Sequence, residues 1–265
     1  MKNLRENAPI LLFDSGLGGL TVLAELRALL PQAPVIYAAD LAGLPYGEKS
    51  EAEVAARVAG LLGRLAERYR PRLACIACNT ASTIALGMVR DVLHVPIVGT
   101  VPAIKPAAAM TQTGVIGLLG TAATVRQKYV DDLEAEFANG TTLIRHAAPE
   151  LVRAAEDKLR GHTPDPAIFT ALAERMRRYD GGEAIDTLVL ACTHFPLLEA
   201  ELAAAFGPDV QMVHGAVGIA RRIAHLVEGQ QMVREHHDLF VATGPQDPHI
   251  AATLSSFGLT RAESL

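Results

Sequence analysis

Short apolar runs alternate along the chain with longer stretches in which apolar residues return every three or four positions. The runs at 10–13, 35–39, 73–77 and 96–100 read as buried strands. So do those at 115–119, 142–145, 187–191, 210–213 and 239–242, the last taken as the final strand. Between them lie helical patterns. One opens at Gly18-Gly19, fills 21–30 and stops at Pro31. Another is capped by Ser50 with Glu53 three residues on, as in a capping box. Its apolar face is Val54, Val58, Leu61, Leu62, Leu65 and Tyr69, and Pro71 ends it. Further helices are expected after Asn79 and over 124–137, 150–159, 167–179, 196–206, 216–227 and 248–257. Strand–helix alternation of this kind predicts an α/β fold with mainly parallel sheets.

The pattern restarts part-way. A strand with a polar end (Asp14) precedes by 64 positions a strand ending in Ala77-Cys78. A strand ending at Gly120-Thr121 precedes, with Thr121 71 positions back, a strand ending in Ala191-Cys192. Two pseudo-symmetric α/β lobes with a cleft between them follow as the expectation; accidental likeness of generic strand–helix units is the alternative. The boundary is expected near 100–106, where Pro102 and Pro106 interrupt the pattern.

Composition narrows the class. The 265 residues suffice for one large or two small cores. Half are apolar, aromatics are 5%, and tryptophan is absent. A net charge of −5 without runs of like charge argues against nucleic-acid or anionic-membrane partners. No apolar stretch has the length of a membrane span. Glu6 and Asn7 interrupt any secretory core after residues 1–5, so a cytoplasmic location is expected. Three cysteines are too few, and odd in number, for a disulfide scaffold.

Ligands of α/β folds bind outside the carboxyl ends of the strands. Cys78-Asn79-Thr80 and Cys192-Thr193-His194 both stand at such ends. A thiolate accepts a proton and a thiol donates one near neutral pH, so two thiols facing each other across a small chiral substrate could invert its stereocentre. Either cysteine taken singly is equally a small buried hydrophobe. Cys75 and Cys78 have redox or zinc spacing, but Cys75 lies inside the apolar run and no Cys/His cluster completes a zinc set; no metal is expected.

The loop Asp14-Ser15-Gly16-Leu17-Gly18-Gly19 partly fits a dinucleotide fingerprint, with Asp40 near the ribose-binding distance, but Thr21 replaces the third glycine. The helix start could still hold a small carboxylate, with Asp14 orienting a proton-transfer group or an ammonium. Ser15, Tyr46, Gly47, Asn79, Thr80, Thr121, Thr124 and Thr193 offer further donors, each singly also an ordinary capping or turn residue. His194 could tune Cys192. Glu156, on a helix among alanines, reads by itself as a solvated charge, and His214, His225, His236, His237 and His249 as surface positions.

With these residues in view, the chain resembles the glutamate racemases of the cofactor-independent aspartate/glutamate racemase superfamily. The resemblance rests on Phe13-Asp14-Ser15-Gly16-Leu17-Gly18-Gly19-Leu20-Thr21-Val22, Pro45-Tyr46-Gly47, Ala77-Cys78-Asn79-Thr80-Ala81 and Ala191-Cys192-Thr193-His194-Phe195-Pro196-Leu197-Leu198. It extends through Gly120-Thr121-x-x-Thr124 and Thr243-Gly244, essentially the whole chain. It implies a first lobe of 1–99 plus 211–265, a second of 100–210, and an active site between them. It implies interconversion of L- and D-glutamate without cofactor or metal, supplying peptidoglycan synthesis, in a protein that is often a homodimer. Cys78 would then act on the α-proton of D-glutamate and Cys192 on that of L-glutamate. Asp14 would assist the first, His194 and Glu156 the second. Ser15, Tyr46, Gly47, Asn79, Thr80, Thr121, Thr124 and Thr193 would hold the substrate. Two departures stand out: Ala148-Pro149-Glu150 where the family has a cysteine-proline run, and His214-Gly215 where it has Asp-Ser. The same fold could act on aspartate or a hydantoin, or bind an acidic amino acid without turnover.

Overall fold

The structure, a computed structural model, describes residues 6–245 and 247–265. Residues 1–5, which enter the secretory reading above, lie outside the described residues. In chain order the strands are β1 (Ile10–Asp14), β2 (Val35–Ala39), β3 (Leu73–Ile76), β4 (Ile97–Gly99) and β5 (Val115–Gly120). Then come β6 (Thr142–Ala147), β7 (Thr187–Leu190), β8 (Gln211–Val213), β9 (Leu239–Ala242) and β10 (Arg261–Ser264). They form two sheets, ordered β10-β9-β2-β1-β3-β4 and β6-β5-β7-β8, and each strand pairing among the described residues is parallel. The expected α/β class with parallel sheets is borne out. The chain divides into two compact units, Met1–Thr100 with Ala216–Leu265, and Val101–Gly215.

Within the units the repeat is topological. The order β2-β1-β3-β4 matches β6-β5-β7-β8, with the first strand of each set inside and the third beside it. The hydrogen bonds that close each set correspond too. Ala77 donates to the Phe13 carbonyl and Ala191 to the Leu119 carbonyl, both at 2.7 Å. Asp40 donates to the Asp14 carbonyl and Ala148 to the Gly120 carbonyl, both at 2.9 Å.

The helix Glu51–Tyr69 shows how the first unit is packed. The Ser50 hydroxyl accepts from the Glu53 amide at 3.2 Å, satisfying one free donor of the first turn. Its buried stripe, Val54, Val58, Leu62 and Leu65, packs with Leu11, Phe13, Ala74 and Ile76 of the sheet. Arg70 takes a left-handed conformation before Pro71, where the helix stops. In the second unit Ile104, Ala107 and Val130 close over Ile116, Leu118 and Val189.

Charged groups pin residues on the amino-terminal side of the first sheet. Arg72, buried just before β3, donates from Nε to the Ala8 carbonyl (2.8 Å) and from Nη1 to the Gln231 carbonyl (3.1 Å). Asp238, buried before β9, accepts from the Val35 amide at 3.0 Å and pairs with Arg27 and Arg234. The carboxyl ends are left for other work.

Several expectations need correction. β9 is not the last strand, because Arg261–Ser264 adds a parallel edge strand whose Arg-Ala-Glu-Ser sequence has no apolar run. Pro106 does not interrupt a pattern; it lies in the first turn of the helix Ile104–Met110, where a missing N–H costs nothing. The helix expected over 124–137 is two, Ala122–Val125 and Lys128–Phe137. The one expected over 196–206 is a 3₁₀ turn Phe195–Leu198 followed by the helix Glu199–Phe206. The one over 248–257 is likewise a 3₁₀ turn Pro248–Ile250 and the helix Ala251–Ser256.

The Glu51–Tyr69 helix supplies a paired stability test. Leu62 is fully buried, whereas Gly60 is exposed with open space around a built Cβ. Leu62→Ala should cost about 2–5 kcal/mol. Gly60→Ala should gain about 0.5–1 kcal/mol. Urea denaturation of the two variants beside the parent checks both signs.

Candidate active site

The register of β1 on β3, Phe13 opposite Ile76, carries the chain into two adjacent loops. Ser15 and Cys78, 63 positions apart, meet there with Oγ 3.5 Å from Sγ. Cys78 is the residue just before the helix Asn79–Val92 and is buried. Asp14 is wholly buried. Its Oδ1 accepts from the Ser15 amide at 2.7 Å, and its Oδ2 from the Gly19 amide at 2.7 Å and the Tyr37 hydroxyl at 3.2 Å. The helix Leu20–Leu29 thus begins on the protein's own carboxylate. The expected free anion seat at this helix start is corrected: Asp14 occupies it, for the electrostatic reason that would have drawn a ligand. Gly19 is needed there, since a Cβ would stand 2.9 Å from the Tyr37 hydroxyl and 3.1 Å from the Ala77 carbonyl.

The Tyr46 hydroxyl donates to Asp40 Oδ2 at 2.6 Å. Asp40 is also held by Arg57, from Nε and Nη2 at 2.7 Å each, and by the Thr243 hydroxyl at 2.5 Å. Burial raises the Asp40 pKa, but these donors outweigh it and hold the carboxyl below the usual range. Burial and the Asp40 bond push the Tyr46 phenol well up. Asp40 is therefore an internal anchor for the turn carrying Gly47, not a ribose ligand. The Tyr46 ring is buried in the core of the first unit, with its hydroxyl turned to Asp40.

The second thiol has different company. Cys192 Sγ lies 3.8 Å from His194 Nδ1. His194 Nε2 lies 2.8 Å from Glu156 Oε1, and Glu156 Oε2 accepts from Arg160 at 2.7 Å. Cys192, His194 and Glu156 are all buried. The solvated reading of Glu156 is thereby overturned: at 5% exposure it faces inward from the helix Pro149–Leu159. Burial pushes the His194 pKa down, but the bonds with Cys192 and Glu156 outweigh it and hold the imidazole well above its ordinary value. A charged ring donates from both nitrogens, to the carboxylate on one side and the sulfur on the other.

The remaining candidates are also buried, in the turns or helix starts that follow strands. Thr121 Oγ1 accepts from the Thr124 amide at 3.2 Å, and the two hydroxyls lie 3.1 Å apart. Asn79 and Thr80 open the helix behind Cys78, and Thr193 lies between Cys192 and His194. Cys75 is fully buried in β3, and burial pushes its thiol well up. Three positions from Cys78, it points to the opposite sheet face by strand alternation, so the two form no pair. Among the described residues no group of three or more His, Cys, Asp or Glu is placed to hold a metal ion. None of the described helices is long and apolar enough to cross a membrane.

The family model for Asp/Glu/hydantoin racemases matches residues 21–223. The chain belongs to the Asp/Glu/hydantoin racemase family. It is 59% identical over 262 residues to a glutamate racemase of Sphingopyxis alaskensis, covering 98% of each chain. In three dimensions it matches the Escherichia coli glutamate racemase solved with L-glutamate and the activator UDP-MurNAc-Ala. That match has a TM-score of 0.91 at 39% identity and covers 97% of this chain and 98% of that one. The glutamate racemase isoform RacE1 of Bacillus anthracis matches at a TM-score of 0.82 and 26% identity, over 98% of both chains. The likeness to glutamate racemases read from the motifs is borne out, and with it an amino-acid racemase of the isomerase class.

In this racemase, two groups of candidates are brought together within their units: Asp14, Ser15 and Cys78 in one, Glu156, His194 and Cys192 in the other. Sequence reasoning passed over Tyr37, Arg57 and Arg160 as parts of these networks. Arg160 had a signal, four residues after Glu156 and so one helical turn away. Tyr37 and Arg57 had none, because β-sheet register and helix packing bring them in.

Folded His194 holds its proton more tightly than an unfolded histidine. Its contribution to stability is therefore complete below the unfolded value, about 6.5, and is lost as pH rises through the raised folded value. Glu156→Gln should move that titration down toward the ordinary value. Ring-nitrogen NMR of His194 across pH, parent against variant, reads the direction.

Proposed function

We propose that this chain interconverts L-glutamate and D-glutamate by moving the α-proton between two thiols, Cys78 and Cys192, with no cofactor. The observation that carries this reading is the matched placing of two buried thiols. Each follows the third strand of an equivalent four-strand set, and each contacts a polar partner, Ser15 for one and His194 for the other. Residues 1–99 with 211–265, and 100–210, are taken as two lobes that bring the thiols to opposite faces of one α-carbon. The glutamate substrate follows the relatives named above, one of them solved with L-glutamate.

The chemistry is balanced without other reagents. One thiolate takes the α-proton, leaving its electron pair on the α-carbon, and the opposite thiol returns a proton to the other face. Acting on L-glutamate, Cys192 is the base and Cys78 the acid; acting on D-glutamate the roles reverse. Asp14 and Ser15 serve the Cys78 face, His194 and Glu156 the Cys192 face. An amino-acid α-proton is far less acidic than a thiol, so the developing negative charge needs preorganised donors. Ser15, Gly47, Asn79, Thr80, Thr121, Thr124 and Thr193, with the backbone of Tyr46, are assigned that task and the holding of the carboxylates. Closure of the lobes would exclude water. The reaction is placed in the cytoplasm, supplying D-glutamate for peptidoglycan; the three free cysteines suit that compartment.

Reduced protein incubated with L-glutamate in deuterated water, with nothing else added, should lose optical rotation as deuterium enters the α-position of the product. Cys78→Ser and Cys192→Ser should each slow racemisation by at least about 10²-fold. Folded, reduced protein showing neither rotation change nor exchange sinks the reading. Binding of glutamate without exchange would leave a binding protein, and turnover of aspartate alone would move the substrate.

A further inference from the structure

The Cys192 side contains a cation that the proposed reaction does not yet use. Arg160 follows Glu156 by one helical turn, in the glutamate-before-arginine order that favours pairing. Its Nη1 donates to Glu156 Oε2 at 2.7 Å and to the Glu156 carbonyl at 2.8 Å. The other carboxylate oxygen meets His194 Nε2 at 2.8 Å. The Glu156 carboxylate is thus gripped at both oxygens by cations, and its plane is fixed. On the same helix Lys158 Nζ donates to the Leu197 carbonyl at 2.9 Å, tying the helix to the 3₁₀ turn that follows His194.

We propose that Arg160 is a positioning residue for proton transfer at Cys192: it fixes the carboxylate that orients the His194 ring against the sulfur. The proposal rests on the two-thiol reading above and extends it to a side chain that acts through Glu156 and His194. The series runs from Arg160 to Glu156, His194 and Cys192, each side chain beside the next. Glu156 and His194 are buried, while the Arg160 side chain is 22% exposed, so it stands between the buried members and water. On the other side Asp14 is held by the Ser15 and Gly19 amides and the Tyr37 hydroxyl, a differently built support. Loss of Arg160 should therefore raise the barrier at one thiol and leave the other alone.

Thermodynamics dictates how this must be read out. Enantiomers have equal free energy, so kcat/KM in the two directions must stay equal in any variant. A one-sided defect cannot appear in that ratio. It appears in which proton transfer limits the rate. Arg160→Gln should lower kcat/KM roughly tenfold in both directions. The α-deuterium isotope effect on kcat/KM should rise from L-glutamate, where Cys192 breaks the labelled bond. It should fall from D-glutamate, where Cys78 breaks it and Cys192 acts second. Arg160→Lys should restore part of the rate and move both isotope effects back toward the parent. Loss of folded protein lowers both rates and leaves isotope effects untouched, so simple damage is told apart. With parent racemisation intact, unchanged isotope effects or shifts of the opposite sense overturn the proposal. Absence of racemisation in the parent overturns the two-thiol reading, and this proposal with it.

Discussion

Parallel register is the constraint on which the chemistry depends. Phe13 sits opposite Ile76 and Leu119 opposite Leu190, each pair deep in a buried sheet. A one-residue slip would turn every side chain of a strand to the wrong face, so burial locks the register. Once it is locked, the next residues have little freedom. Asp14-Ser15 and Ala77-Cys78 leave their strands side by side, as do Gly120-Thr121 and Ala191-Cys192. Apolar burial along the strands thus sets a distance of 3.5 Å between Ser15 and Cys78, polar atoms that attract only weakly by themselves.

One framework then carries two kinds of support. In the first unit the carboxylate comes from the end of β1 and is held by backbone amides of the next helix. In the second it comes from the helix after β6 and reaches the thiol through an imidazole. A buried carboxylate is tolerable only when its oxygens are filled. Asp14 meets this with N–H and O–H donors, Glu156 with His194 and Arg160. The helix after β2 is the counterpart of the one bearing Glu156, yet its Arg57 is spent on Asp40 and the Tyr46 turn.

Much of this was legible in the residues. Runs such as Ile10-Leu11-Leu12-Phe13 announce strands because both faces of a parallel sheet are buried. The cysteines at their ends follow from the same reading. What stayed hidden was set by tertiary contact. Arg261–Ser264 pairs through its backbone at an edge, where side chains need not be apolar. Glu156 looked solvated because its alanine neighbours give no sign of a histidine 38 positions away. The tie from Tyr46 to Asp40 was hidden because nothing in the local sequence shows that Tyr46, Arg57 and Thr243 converge on one carboxylate.

The unlike surroundings of the two thiols suit the proposed reaction. Equal energies of L- and D-glutamate require equal overall efficiency in the two directions, not equal environments at each face. In the proposed reaction the α-carbon carries a carboxylate, an ammonium and a side chain, so each sulfur would meet a different neighbouring charge. At Cys192 the sulfur lies beside the His194 ring, whose proton is held well above the ordinary imidazole value. A thiol whose neighbour is the Ser15 hydroxyl, at the amino end of the helix Asn79–Val92, receives instead oriented dipoles. Either device can steady a negative sulfur while the proton is on the other side. In the proposed reaction the repeated strand order supplies two matched thiols, and the unlike supports answer the handedness of the substrate.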